Sequence, residues 1–238
     1  MRQSGFLLRV ACSMLVAFAL AGNVAAQKKD DEKAPPPTGI DAATGKILTE
    51  AIEALNKENY AGAKAAVGKL KLDTLSPYER SRTEQILATI ESSRDNYPGA
   101  QKHLQAAIDA GGLNEKEVSD TRYQIAQMFL AQEKWKEGAA ALEQWFQTAQ
   151  NPNGAAYYLL AVAYYQQNDF KRAIVPAQKA VDLTDKPQES WVQLVLALYL
   201  QQDQYAQAVP LLKRLINMAP DKKTYWQQLS SVYGQMED

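Results

Sequence analysis

Catalysis needs nucleophiles, bases or ligands that converge, and this 238-residue chain offers few of them. Its single histidine is His103 and its single cysteine is Cys12. A metal site needs His, Cys and carboxylate donors at short spacings, and no run of the sequence supplies them. Ser76-Pro77-Tyr78-Glu79 pairs a hydroxyl with an acid, but its order is that of a capped helix start, with proline first and an acid in the first turn. Gly111-Gly112 lacks the Gly-x-Gly spacing of a phosphate loop and reads as a helix-ending turn. Ser230-Ser231 has no base near it in sequence. The expectation is therefore no catalytic residue, no cofactor and no metal. A hydrolase built on a helical platform is the least favoured of the function classes. The residues left to do work are aromatic: Tyr157, Tyr158, Tyr164, Tyr165 and four tryptophans, most of them expected to be core.

The amino-terminal stretch reads as a secretory signal peptide over residues 1–26. Arg2 and Arg9 supply positive charge, Val10 to Leu20 is apolar except around Cys12 and Ser13, and Val24-Ala25-Ala26 offers small residues for cleavage before Gln27. The rival reading is a retained anchor, but the apolar run is short of the roughly 20 residues that a span needs. Arg9 so near Cys12 argues against lipidation there. A chain cut at this point would carry no cysteine, hence no disulfide and no thiol nucleophile. Losing Arg2 and Arg9 would take the formal charge from −1 to about −3, with both signs interspersed, which gives no basic face for nucleic acid. Residues 27–44 read as a linker. Lys28-Lys29-Asp30-Asp31-Glu32-Lys33 is followed by Pro35-Pro36-Pro37, and neither run can bury apolar area.

From residue 45 onward a pattern recurs. An aromatic stands three positions before Ala or Gly: Tyr60 with Ala63, Tyr97 with Ala100, Trp135 with Gly138, Phe170 with Ala173, Tyr205 with Ala208. The aromatics are 37, 38, 35 and 35 residues apart, and a polar pair precedes each. Phe129, Tyr164 and Tyr199 lie nine residues before the small residue. Apolar residues four and seven positions after it, such as Leu104 and Ala107 or Leu212 and Leu215, share one helical face. Each unit is thus a helix, a polar turn and a second helix, with Asn168 and Asp203 expected to cap second helices. Pro176 and Pro210 fall inside predicted second helices and should bend them locally. A lone pair of helices cannot bury its apolar face, so the units must stack.

This pattern resembles the tetratricopeptide-repeat (TPR) family. Leu160-Ala161, Tyr164, Ala173 and Ala180 fall on that family's landmark positions, as do Trp226, Leu229, Ser230 and Tyr233. The resemblance covers about residues 45–238. It implies an all-α helix-turn-helix solenoid of about five pairs plus the first helix of a sixth. Units one and two are looser, with Glu50 and Glu91 at usually apolar positions and Gly111-Gly112 lengthening the next link.

Repeat alignment places Tyr123, Gln127, Tyr158, Tyr165, Gln166, Gln193, Leu200, Gln201 and Gln227 on the concave face, which is then aromatic and amide-rich with almost no charge. TPR modules that grip carboxylate tails resemble one another in a Lys, Arg and Asn cluster here, which this sequence lacks. At the carboxyl end Trp226, Leu229 and Tyr233 occupy first-helix core positions, yet the chain stops at Asp238 before a second helix. The expectation is an exposed docking face, self-association there, or a truncated product. Gln166-Gln167-Asn168-Asp169-Phe170, Gln201-Gln202-Asp203-Gln204-Tyr205 and the run from Pro220 to Ser230 look like TPR proteins that accompany TonB-type systems in Gram-negative envelopes. That resemblance implies a periplasmic accessory subunit contacting an ExbB/ExbD/TonB motor, with no direct membrane span after cleavage. The alternative is a scaffold for outer-membrane assembly or cell-wall synthesis.

Overall fold

The computed structural model describes residues 39–237. The predicted signal peptide with Cys12, the linker through Thr38, and Asp238 lie outside the described residues. Each repeat is built around one turn. In the first, α1 (Ala42–Asn56) ends as the Glu58 amide donates to the Leu55 carbonyl at 2.9 Å and the Asn59 amide to the Ala54 carbonyl at 2.8 Å. These two reversed bonds satisfy carbonyls that a helix end leaves open. Glu58 is forced to φ 55° to make them. Asn59 then caps α2 (Tyr60–Val67), accepting from the Gly62 amide. The same residue thus ends one helix and starts the next, which holds the turn to a fixed length.

That turn recurs four times with left-handed φ at Asp95, Glu133, Asn168 and Asp203. It joins α3 (Pro77–Ser92) to α4 (Tyr97–Asp109), and α5 (Glu115–Ala131) to α6 (Trp135–Phe146). It also joins α7 (Gly154–Gln166) to α8 (Phe170–Asp182), and α9 (Glu189–Leu200) to α10 (Tyr205–Met218). Helix α11 (Lys223–Glu237) follows as the first helix of a sixth repeat. The expected caps are corrected by one position. Asp169 and Gln204 are the cap residues, while Asn168 and Asp203 take the left-handed position before them. Asn and Asp suit that position because a short polar side chain tolerates left-handed backbone best. Helix α1 opens at Ala42 on the side-chain cap of Asp41, so the array reaches into the stretch read as linker. Pro176 and Pro210 lie inside continuous helices, α8 and α10.

Every helix touches the helices before and after it, and α1 also touches α3 and α7 touches α9. The second helices make no comparable contact with one another. First helices therefore meet directly in two places, on the side here called the inner side of the array, and second helices line the other. The small residues of the motif carry the close approach within each pair, and Ala63, Ala100, Ala173 and Ala208 are all fully buried.

The core divides where the sequence pattern loosens. One apolar cluster joins Leu48, Ala51, Ala66, Val67, Ile86 and Ile90. The other runs from Ala126 through Leu142, Val192, Leu212 and Leu215 to Val232. Between them the chain turns sharply at Gly111, with φ 73°, and Gly112. A Cβ on Gly112 would lie 2.3 Å from the Pro77 carbonyl oxygen, so backbone approaches backbone directly here. Glu50 and Glu91 stay out of the core, Glu50 pairing with Lys69 at 3.1 Å and Glu91 accepting from the Asn96 amide at 2.6 Å.

Candidate protein-interaction face

The inner face is assembled from first helices, and α5, α7 and α9 bring the expected residues to it at the 35-residue period. Tyr123, Tyr158 and Gln193 occupy one register position, and Gln166 and Gln201 another. Tyr123 is half-buried, its ring 4.7 Å from that of Trp145 and its hydroxyl paired with Gln127. Tyr158 stacks on Trp191 of the next repeat at 5.9 Å and pairs with Ser190. Burial pushes both hydroxyls above their usual pKa. Tyr165 packs its ring 5.4 Å from Phe170. Tyr158 thus joins adjacent repeats, whereas Tyr123 and Tyr165 pack within their own, and all three are half-buried. Leu200 is half-buried against the larger core, whereas Gln166 and Gln201 are exposed.

The Gln193 amide is engaged within the protein. It donates to the Glu189 carboxylate at 3.1 Å and to the Tyr225 hydroxyl. Tyr225 also donates to Glu189, and Lys222 binds the same oxygen at 2.5 Å. Hydrogen bonds from Lys222 and then Tyr225 hold the Glu189 carboxyl below its usual range. This cluster ties α11 to α9. At the far end Trp226 and Tyr233 are exposed, Leu229 is half-buried, and the buried side chains of α11 are Tyr225 and Val232. The Trp226 indole donates to the Pro220 carbonyl at 3.1 Å, which fixes its ring across the helix start. Gln227 is exposed.

Several arrangements gave no sequence signal. Glu143 accepts from the Tyr164 hydroxyl and pairs with Arg172 at 2.5 Å, while Arg172 lies 4.3 Å above the Tyr164 ring. Burial and then the Glu143 carboxylate push the Tyr164 hydroxyl well above its usual range. Three elements meet in that cluster, from positions 21 and 29 residues apart, which no local spacing announces. On the outer side two open grooves of about 340 and 470 Å³ flank Val175 of α8. His103 lies 2.7 Å from the buried carboxylate of Glu84, an arrangement that packs α4 on α3. Among the described residues no group of His, Cys, Asp and Glu is placed to hold a metal ion. No helix among them is long and apolar enough to cross a membrane.

Helix pairs joined by five identical turns, stacked with first helices inward, can be compared directly with known solenoids. The structure matches a tetratricopeptide repeat protein from Parabacteroides merdae ATCC 43184 with a TM-score of 0.62 at 13% identity, covering 83% of this chain and 75% of that one. It matches MamA from Desulfovibrio magneticus RS-1 with a TM-score of 0.60 at 16% identity, covering 77% of this chain and 99% of that one. The fold is that of a TPR solenoid. A third similar structure is YrrB, with a TM-score of 0.55 at 16% identity over 73% of this chain and 83% of that one. No family model and no curated protein matches the sequence. The likeness is therefore one of fold, carried by turn geometry and helix packing more than by residue identity.

Proposed function

We propose that this TPR chain is a non-enzymatic scaffold of a Gram-negative envelope, an accessory subunit that holds TonB/ExbB/ExbD-type components in the periplasm. The observation that carries the scaffold reading is the partly exposed face of α7 and α9, uncharged apart from Glu189, with Tyr158 and Tyr165 beside the exposed amides of Gln166 and Gln201. Interface centres are depleted in charge and enriched in aromatic residues, and a few rigid aromatics concentrate binding energy. YrrB is described as a TPR protein with an unusual peptide-binding site, which supports a peptide-binding use of this architecture. Export and the TonB association rest on the amino-terminal charge and apolar pattern and on the glutamine-rich turns.

The experiment is crosslinking in intact cells followed by purification of the tagged full chain and intact-mass measurement. The expected result is a mature protein beginning near Gln27, recovered with ExbB/ExbD/TonB-type components. A protein that retains residues 1–26, or one recovered with cell-wall or outer-membrane assembly factors instead, would overturn the assignment.

A further inference from the structure

Val175 of α8 is the most exposed large apolar side chain among the described residues, at 69%. Folding gives no reason for it. The side chain gains little from burial, and a β-branched residue is a poorer helix former than the Lys, Gln or Arg of an ordinary solvated helix face. Pro176 follows it, and the position before a proline is itself pushed away from helical backbone. The equivalent positions one repeat to either side are Ala140 and Pro210, so the repeat does not demand a branched side chain there.

The surface around Val175 is shaped as well as apolar, because Val175 lines both of the open grooves of about 340 and 470 Å³. In the first, Phe146 of α6 and Tyr157 of α7 stack their rings 4.6 Å apart beside Leu160 and Pro176. The second is lined by Ile174 and by Tyr199 of α9. Lys179 lines both, with its amine 4.5 Å from the centre of the Tyr157 ring. Each groove also holds a carboxylate, but both are engaged, Glu143 by Tyr164 and Arg172, and Asp182 by Gln178. Lys171 and Lys179 stand one turn before and one turn after Val175 on the same helix face, and neither pairs with a carboxylate. Helices α8 and α10 together carry Lys171, Arg172, Lys179, Lys213 and Arg214 against Asp182 alone, in a chain whose formal charge is −1. An exposed apolar side chain between two unpaired ammonium groups is complementary to apolar side chains with carboxylates beside them. Side-chain-sized grooves with an aromatic lining are filled by single anchoring side chains, which a flat lipid surface does not supply.

We propose that the exposed face of α8 around Val175 is a separate docking surface, which receives a segment of another protein bearing large apolar side chains flanked by carboxylates. The apolar side chains enter the grooves on either side of Val175, and the carboxylates meet Lys171 and Lys179. This surface is distinct from the face of α7 and α9 that carries the scaffold reading, and it does not rest on that reading.

The test presents the immobilised full chain with displayed short peptides in which Phe or Leu stands at paired positions of varied spacing. The flanking positions carry Glu in one set, Lys in another and Ser in a third, and enriched members are measured in solution by fluorescence anisotropy. The Glu set should be enriched, and high salt should weaken its members severalfold because contacts at the rim are screened. Val175→Glu, at an exposed position, should lower their affinity about tenfold or more. The double variant Lys171→Glu with Lys179→Glu should reverse the preference in favour of the Lys set, a result that loss of folding cannot imitate. Lys64→Glu, exposed on α2, should leave affinity within about twofold, since it is no part of the surface. The proposal is overturned if no set is enriched, if the three sets bind alike, if Val175→Glu binds as the unaltered chain does, or if the double variant keeps the original preference. It is also overturned if phosphatidylglycerol vesicles bind in a Val175-dependent way while no peptide does, which would assign the patch to a lipid surface. None of these failures touches the scaffold reading, which is judged by the partners recovered from cells.

Discussion

Helices α3 and α9 both open a repeat and both pack on neighbours at each side, yet α3 buries a polar set that α9 lacks. Helix α3 buries Glu79, Ser81, Thr83, Glu84 and Gln85 beside the apolar Ile86, Ala88 and Ile90, whereas α9 buries only apolar side chains, Trp191, Val192, Val195, Leu196 and Leu198. The buried polar side chains of α3 are all engaged. Glu79 accepts from the Ser76 amide and hydroxyl at 2.9 and 2.7 Å and from the Asp41 amide at 2.8 Å. Ser81 donates to the Ala107 carbonyl at 2.7 Å and accepts from the Gly112 amide at 3.2 Å. Arg82 binds Gln85 and Glu117, and so reaches from α3 to α5. Hydrogen bonds are directional and costly to leave half-made, while apolar contact is non-directional and scales with area. The amino-terminal repeats therefore add partner-specific polar bonds to their apolar cluster, while the carboxyl-terminal repeats rely more on apolar volume.

The largest test of that contrast is Leu212→Ala. Leu212 is fully buried in the apolar half, and its loss should cost about 2–5 kcal/mol in denaturant unfolding. Because repeats couple mainly to their neighbours, amide exchange in α9 to α11 should rise while α1 to α3 change little. A uniform rise along the chain would show that the halves are not separate.

Next in size is Gly112→Ala at the junction. The added methyl would meet the backbone of Pro77 and Tyr78, which cannot rotate away, so a loss of about 3 kcal/mol is expected. A melting temperature equal to that of the unaltered protein would mean that the two halves adjust there freely.

Glu79→Gln should cost about 1–2 kcal/mol, seen first as faster exchange in α1 and the start of α3. Glu79 also makes the amino-terminal half sensitive to acid. Burial raises its pKa, but bonds from Ser76 and the Asp41 amide outweigh burial and hold it below the usual value. A carboxyl whose folded pKa is depressed contributes stability above its unfolded pKa and loses it as pH falls through the folded one. Exchange at α1 should therefore rise below about pH 4.5 in the unaltered protein. Glu79→Gln should flatten that response, and an undiminished response in the variant would assign the acid sensitivity elsewhere.

The smallest effect expected is a gain. Gly234 lies in α11 with nothing within 4 Å of a Cβ, so Gly234→Ala should stabilise by about 0.5–1 kcal/mol through helix propensity alone. A loss would mean that the outer face of α11 is covered in solution.

Repeat length, helix order and the aromatic and small landmarks were legible because each depends on residues within one helical turn or at a fixed period. Tyr60, Tyr97, Trp135, Phe170 and Tyr205 each open a second helix, as their spacing indicates. The cap was misplaced at Asn168 and Asp203 because Asn and Asp favour both the cap and the left-handed residue before it, and composition cannot tell adjacent positions apart. The sequence period places Tyr123, Tyr158 and Gln193 at one register position, but it does not say which of those side chains already have partners. Gln193 lies at an inner-face position, yet its amide is taken up by Glu189 and Tyr225, the latter 32 residues away.

The sequence by itself determined that the chain forms helix pairs at a period of about 35 residues and that α7 and α9 carry little charge, since periodicity and composition are local properties. Only the tertiary structure decided which of those residues face solvent. It alone joined Glu79 to Asp41, Ser81 to Gly112 and Glu189 to Lys222 across 38, 31 and 33 residues. Such pairings depend on how one repeat is rotated on the next, and that rotation is set by the sum of many side-chain contacts rather than by any single motif.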